Sequence, residues 1–205
     1  MRKEVSKGMP LVRAEVVKRG LRGNTLSEMA ARGVVYRVAR GVYVPASGSC
    51  SEYLDYETAA KVVSSGVFTL KSALRIHDLT DENPMRMTMA IPSNSHAPKT
   101  ILPVDFVYMK KELMLEDVEE FSPNGITIRV FSIERTIVEC FKARSRVGIN
   151  ICVAALDDAI AKHKIDWKKL WDGMSRCRMT RIMAPYLEGK VEFRSDLFPT
   201  VCRDG

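Results

Sequence analysis

Four arginines and a handful of small polar side chains between Arg22 and Arg40 have types and spacing suited to a chemical task. Arg22, Arg32, Arg37 and Arg40 supply planar guanidinium donors, which match phosphate oxygens and the acceptor edge of guanine. Asn24, Thr25 and Ser27 supply short donors and acceptors, and Ala31 adds no bulk. Cations for a backbone and small polar groups for base edges are the two ingredients of nucleic-acid recognition. Singly, each arginine reads better as a solvated surface charge, so the case rests on their grouping.

The placement of charge supports the same reading. The chain has 205 residues with 32 Lys+Arg against 25 Asp+Glu, formally +7. Residues 1–50 hold ten of those bases but only Glu4, Glu15 and Glu28 as acids, and the remainder balances at 22 against 22. A generally basic surface would spread its excess along the chain. A basic segment on a neutral body is what phosphate binding driven by counterion release requires.

The elements that must position these residues follow in order. Residues 13–19 predict a helix with Ala14 and Val17 on its buried face and Lys18 and Arg19 at the end where cations suit the dipole; Gly20 stops it. Thr25 and Glu28 have the T-x-x-E spacing of a capping box, which predicts a second helix over 26–32. Leu26, Met29 and Ala30 form its buried stripe, leaving Ser27, Ala31 and Arg32 outward. Those outward residues are small enough to admit the helix to a major groove about 12 Å wide. Gly33 ends it. Residues 34–38 and 42–44 are β-branched strands joined by Ala39, Arg40 and Gly41. They predict a hairpin with Arg37 and Arg40 at its tip, Tyr36, Val38 and Val42 packed on the helices, and Pro45 ending the pairing. Helix, turn, helix and basic hairpin in that order predict a winged helix-turn-helix.

Residues 46–50 read as a small-residue linker, dividing the chain into domains at 1–48 and 49–205. The second domain predicts a helix over 54–65 with Ala59, Val62 and Val63 on one face, a strand at 67–70, and a helix capped by Ser72 that carries Ala73, Leu74 and Ile76. Residues 85–91 alternate strictly, placing Met85, Met87, Met89 and Ile91 on the buried face of a strand rather than in a metal site. A strand at 104–109 and a hairpin of 116–121 with 126–130 around Ser122-Pro123-Asn124-Gly125 follow. Helices over 133–147, 149–162, 166–171 and 175–187 close the domain. The tail 191–205 carries Phe193, Leu197 and Phe198, apolar enough to dock. Strands first and helices afterwards predict an α+β fold: the winged helix, then a mostly antiparallel sheet, then C-terminal helices.

Little in this second domain suits catalysis. His77 with Asp78 after Ser72 is the only arrangement resembling a catalytic cluster, and it reads better as helix-end polarity, since the strained G-x-S-x-G elbow is absent. Neither G-x-x-x-x-G-K-[ST] nor G-x-G-x-x-G occurs, and no enzymatic activity, cofactor or metal is expected. Glu112, Glu116, Asp117, Glu119 and Glu120 read as a solvated hairpin flank, or as a negative patch for a basic partner. Lys142, Arg144 and Arg146 suit a helix end, or an extended phosphate footprint. Cys50, Cys140, Cys152, Cys177 and Cys202 are widely spaced and predict reduced, mostly buried thiols. No apolar run approaches the roughly 20 residues of a membrane helix, and no signal-peptide core is present, so a cytoplasmic protein is expected.

The run 13–45 resembles the winged helix-turn-helix of AbiEi-like type IV antitoxins, through Arg32-Gly33-Val34 and Arg37-Val38-Ala39-Arg40-Gly41-Val42-Tyr43. Leu70-Lys71-Ser72-Ala73-Leu74 with His77-Asp78-Leu79-Thr80-Asp81 resembles the segment opening the family's C-terminal domain. Phe131-Ser132-Ile133-Glu134-Arg135-Thr136-Ile137-Val138-Glu139-Cys140-Phe141 and Pro185-Tyr186-Leu187-Glu188 resemble two later family segments. A full helix usually precedes the motif in that family, and residues 1–7 supply at most its truncated remnant. The resemblance implies a transcriptional regulator that binds double-stranded DNA at the operator of its own promoter, as a dimer or as paired heads on repeats. It further implies an antitoxin of an abortive-infection system, countering a nucleotidyltransferase-like toxin without a stable complex. The alternative is a protein-interaction module whose vestigial winged helix binds protein or RNA.

Overall fold

A computed structural model describes residues 8–47, 51–188 and Lys190. Residues 1–7, where a helical remnant is expected, the end of the linker with Cys50, and the tail 191–205 with Cys202 lie outside the described residues. The chain is α+β and divides into two compact units, Met1–Phe68 with Pro84–Phe131, and Thr69–Asn83 with Ser132–Gly205. Every strand among the described residues belongs to the first unit.

The first unit opens with β1 (Leu11–Val12), α1 (Arg13–Lys18), α2 (Thr25–Ala31), β2 (Val35–Ala39) and β3 (Val42–Pro45). The strands form an antiparallel sheet in the order β1-β3-β2, with Leu11 opposite Tyr43 and Tyr36 opposite Val44. Two residues are too few to show a period, so β1 is not legible in the sequence. It nevertheless sets the phase of α1. Val12 is still extended, at φ −106° and ψ 127°, and the helix turns directly out of it. Val16 therefore faces inward, while Ala14 is exposed and Val17 is 45% exposed, the reverse of the expected face. Leu11, Val16, Leu26, Val35 and Tyr43 form the core here, with Met29 and Ala30 against it.

Both helices end by one device. Gly20 and Gly33 take positive φ (81° and 69°), and the next residue reaches back into the last turn: Leu21 N–H to the Val16 carbonyl, Val34 N–H to that of Met29. The capping box does not form. Thr25 is already the first helical residue, and Asn24 at the cap directs its side-chain amide to Glu28 Oε1 at 2.5 Å instead. In the hairpin, a bulge between Arg37 and Ala39 breaks the inward and outward alternation. Val35, Val38 and Val42 are buried, but Tyr36 is 61% exposed and does not pack on the helices. Pairing also runs past Pro45, since Ala46 N–H donates to the Val34 carbonyl.

The rest of the first unit is built from α3 (Leu54–Val62), β4 (Val67–Phe68), and, after α4 (Leu70–Ile76) of the second unit, β5 (Met87–Pro92), β6 (Val104–Met109), α5 (Lys111–Met114), β7 (Val118–Phe121) and β8 (Ile128–Phe131). The sheet order is β6-β5-β4-β8-β7. Pairing is antiparallel for β4 with β5 and β7 with β8, but parallel for β5 with β6 and β4 with β8. The sheet is thus mixed rather than mostly antiparallel. Residues 93–103 make this possible, because they are long enough to carry the chain back beside β5 instead of reversing it.

Met87, Met89 and Ile91 are buried as their alternation predicts, yet Ala90 and Pro92 are buried too, because β5 lies inside the sheet. Met85 falls outside the strand and is exposed. Below the sheet, Met114 of α5 joins Val67, Ala90 and Phe131 in a second core cluster. Helix α3 stops earlier than expected, with Ala59 and Val63 buried.

The second unit is helical: α4, then α6 (Ile133–Lys142), α7 (Arg144–Val147), α8 (Ile149–Ala161), α9 (Trp167–Arg176) and α10 (Thr180–Leu187). Ser72 does not cap α4. It is buried inside the helix, and Thr69 holds the cap position. Ser132 does cap α6, accepting from Arg135 N–H at 3.3 Å. Asp166 caps α9 through Lys168 and Lys169 N–H, and its own N–H donates to Glu134 Oε1 at 2.8 Å. The expected single helix over 133–147 breaks at Ala143, and Ser175 belongs to α9, with the turn to α10 made through Arg178 at φ 56°.

Candidate nucleic-acid interface

Ser27 and Ala31 are exposed on α2, whose Leu26 is buried, and Arg32 is exposed at its C-cap. Thr25 is half-buried. Ser27 Oγ lies 3.3 Å from Tyr43 Oη, so the outer face of the helix is joined to the hairpin by a hydroxyl pair. Arg22 and Asn24 are exposed in the turn before α2, though the Asn24 amide is engaged by Glu28. Arg37 and Arg40 are exposed on the hairpin. The bulge lets Arg37 Nε donate to the Ala39 carbonyl at 3.2 Å, which holds that guanidinium at the tip. Gly41, at φ 78°, closes the turn beside Arg40.

Arg13 is a residue the sequence reading assigned only to a helix. Its N–H donates to the Gly41 carbonyl at 2.8 Å, and its guanidinium lies against Gly23, where Nη2 would be 3.1 Å from an added Cβ. One exposed arginine thereby touches both the turn before α2 and the hairpin. The signal available was its position, since a cation in the first turn of a helix opposes the dipole and needs another use.

Two further bases come from outside the basic segment. An open groove of about 840 Å³ in the first unit is lined by Arg37, Arg40, Lys61 and Lys99 together with apolar residues such as Val38 and Val62. Residues 100–101 are hydrogen-bonded to the hairpin edge: Ile101 N–H donates to the Val38 carbonyl at 3.0 Å and Thr100 Oγ1 to the same oxygen at 3.2 Å. Ala39 and Thr100 form a bridge. Lys61 is neutralised by Glu15 at 2.5 Å.

The other polar groupings close helix ends. His77 is the C-cap of α4, and Asp78 follows it at φ 57°. Lys162 Nζ donates to the Asp78 carbonyl at 2.6 Å and to Oδ2 at 3.1 Å, and Lys164 Nζ donates to the His77 carbonyl at 2.8 Å. The hydrogen bond from Lys162 holds the Asp78 carboxyl below the ordinary aspartate value, and Asp158 with Asp78 raises Lys162 above the usual lysine value. Arg144 donates to the Phe141 carbonyl at 3.2 Å, and Lys142 lies 3.8 Å from Glu139. Glu112, Glu116, Asp117, Glu119 and Glu120 are exposed along α5 and β7. Among the described residues, no group of three His, Cys, Asp or Glu side chains could hold a metal ion, and no helix is long and apolar enough to cross a membrane.

No protein-family model matches the chain, and no curated protein matches it.

Proposed function

We propose that residues 8–47 are a winged helix-turn-helix, and that the protein is a DNA-binding transcriptional regulator acting on its own promoter. In this reading α2 enters the major groove with Ser27, Ala31 and Arg32 forward, and the hairpin is the wing, its Arg37 and Arg40 reaching a phosphate or the adjacent minor groove. The observation that carries the reading is the joint exposure of small residues on one face of α2 and of arginines on the hairpin tied to it through Ser27 and Tyr43. Small outward residues on a helix beside exposed cations suit a groove lined by phosphates.

The family-like segments at 70–81, 131–141 and 185–188 extend the proposal to antitoxin action against a nucleotidyltransferase-like toxin. One short helix reads few base pairs, so two heads on a repeated site follow from this reading. A footprint confined to one half-site would count against it.

The test is binding of the full chain to labelled DNA from immediately upstream of its own coding frame, over competitor and across salt. Wild type is expected to retain the fragment. Arg37→Ala with Arg40→Ala is expected to lower the magnitude of the log K against log salt slope by about 1.8, from two lost phosphate contacts. Salt-insensitive or absent binding rejects the proposal. Exposed Tyr36 and Val34 on the hairpin favour the second reading, a protein-interaction module with a vestigial winged helix, which that negative outcome would select.

A further inference from the structure

We infer that the phosphate-binding surface does not end at the hairpin but continues through the groove beside it, with Lys99 as a further phosphate contact supplied from the crossover between β5 and β6. This rests on the DNA-binding reading and adds to it a part of the chain outside the basic segment.

Three observations carry it. The groove gathers Arg37, Arg40, Lys61 and Lys99, and no acidic residue lines it. Of these, Lys61 is cancelled by Glu15, whereas Lys99 is exposed and has no acidic partner among the described residues. The segment bearing Lys99 is held to the hairpin by both Thr100 Oγ1 and Ile101 N–H on the single Val38 carbonyl. The backbone that follows Lys99 is therefore anchored to the edge of the hairpin that bears Arg37 and Arg40. The apolar lining of Val38, Val42 and Val62 matters as well, because low-dielectric walls focus the field of one-signed charge lining a cleft. Cations gathered along one such groove are complementary to backbone phosphates.

The experiment uses the full chain and a fluorescein-labelled duplex of mixed sequence, so that it reads phosphate contacts without requiring an operator. Affinity is measured by anisotropy from 50 to 200 mM salt for wild type, Lys99→Ala, Lys99→Arg and the Arg37→Ala, Arg40→Ala double variant, each first checked for an unchanged thermal midpoint. Lys99→Ala is expected to lower the slope magnitude by about 0.9, so that the wild-type advantage shrinks about 3.5-fold across that range. Lys99→Arg is expected to restore the wild-type slope. A Lys99→Ala slope equal to wild type, with the double variant still reduced, overturns this inference and leaves the DNA-binding reading standing. A wild-type slope near zero overturns both.

Discussion

Asp78 shows how much a single side chain contributes through its partners. It occupies the left-handed region after α4, where Asn and Asp are tolerated better than other residues, and its carboxylate and carbonyl both accept from Lys162. Its folded pKa lies below the ordinary 3.8, so its stabilising contribution is fully present above 3.8 and is lost as pH falls through the folded value. Lys162 is raised above 10.5, so its contribution is full below 10.5 and is lost as pH rises through its folded value. The pair therefore operates across the whole interval between. Asp78→Asn keeps the backbone tolerance and removes the charge. It should lower the thermal midpoint slightly at neutral pH, with the difference from wild type closing in acid and in high salt. A difference that persists in acid would show that the effect is not ionic. The sequence marked this dipeptide as helix-end polarity, but its partner, 84 residues away, could not be read from spacing.

At the scale of elements, the two glycine stops are the features most directly written in the chain. Gly33 at φ 69° lets Val34 reach the Met29 carbonyl, and a Cβ there would meet nothing within 4 Å. Gly33→Ala thus tests the backbone conformation with no steric clash added. A loss of about 1 kcal/mol is expected, the left-handed penalty partly offset by reduced chain entropy, and Gly33→Asn should recover part of it. Urea unfolding followed by circular dichroism measures both, and an unchanged midpoint for the alanine variant would refute the strain account. The buried stripe of α2 was equally legible, since Leu26, Met29 and Ala30 meet one core at helical spacing. The face of α1 was not. Six helical residues carry too little periodicity to choose between Val16 and Val17, and the extended Val12 before them makes the choice.

Burial predicts the order in which the three thiols among the described residues react. Cys140 and Cys152 are buried; burial pushes Cys152 up to about 11 and Cys140 well above the ordinary value. Cys177 is half-buried and only raised. Since the thiolate is the nucleophile, iodoacetamide at neutral pH should modify Cys177 ahead of the other two, which should react only on unfolding. Peptide mass spectrometry over time reads this, and early modification of Cys140 would contradict its full burial in α6.

What the sequence determined by itself was local: where the short helices α1 and α2 stop, which stripe of α2 is buried, and that residues 87–91 and 104–109 are strands. Each of these depends on neighbours within a turn or a hairpin. The tertiary structure alone decided how distant segments meet. Alternation shows that residues 87–91 and 104–109 are strands but is silent on direction, because a strand's period of two is the same whether its neighbour runs with it or against it. The parallel choice for β5 and β6 sends residues 93–103 back along the sheet, where Thr100 and Ile101 meet the hairpin and Lys99 comes to stand beside Arg37 and Arg40. A charge count along the chain assigns Lys99 to a neutral body, and only that pairing returns it to the basic surface.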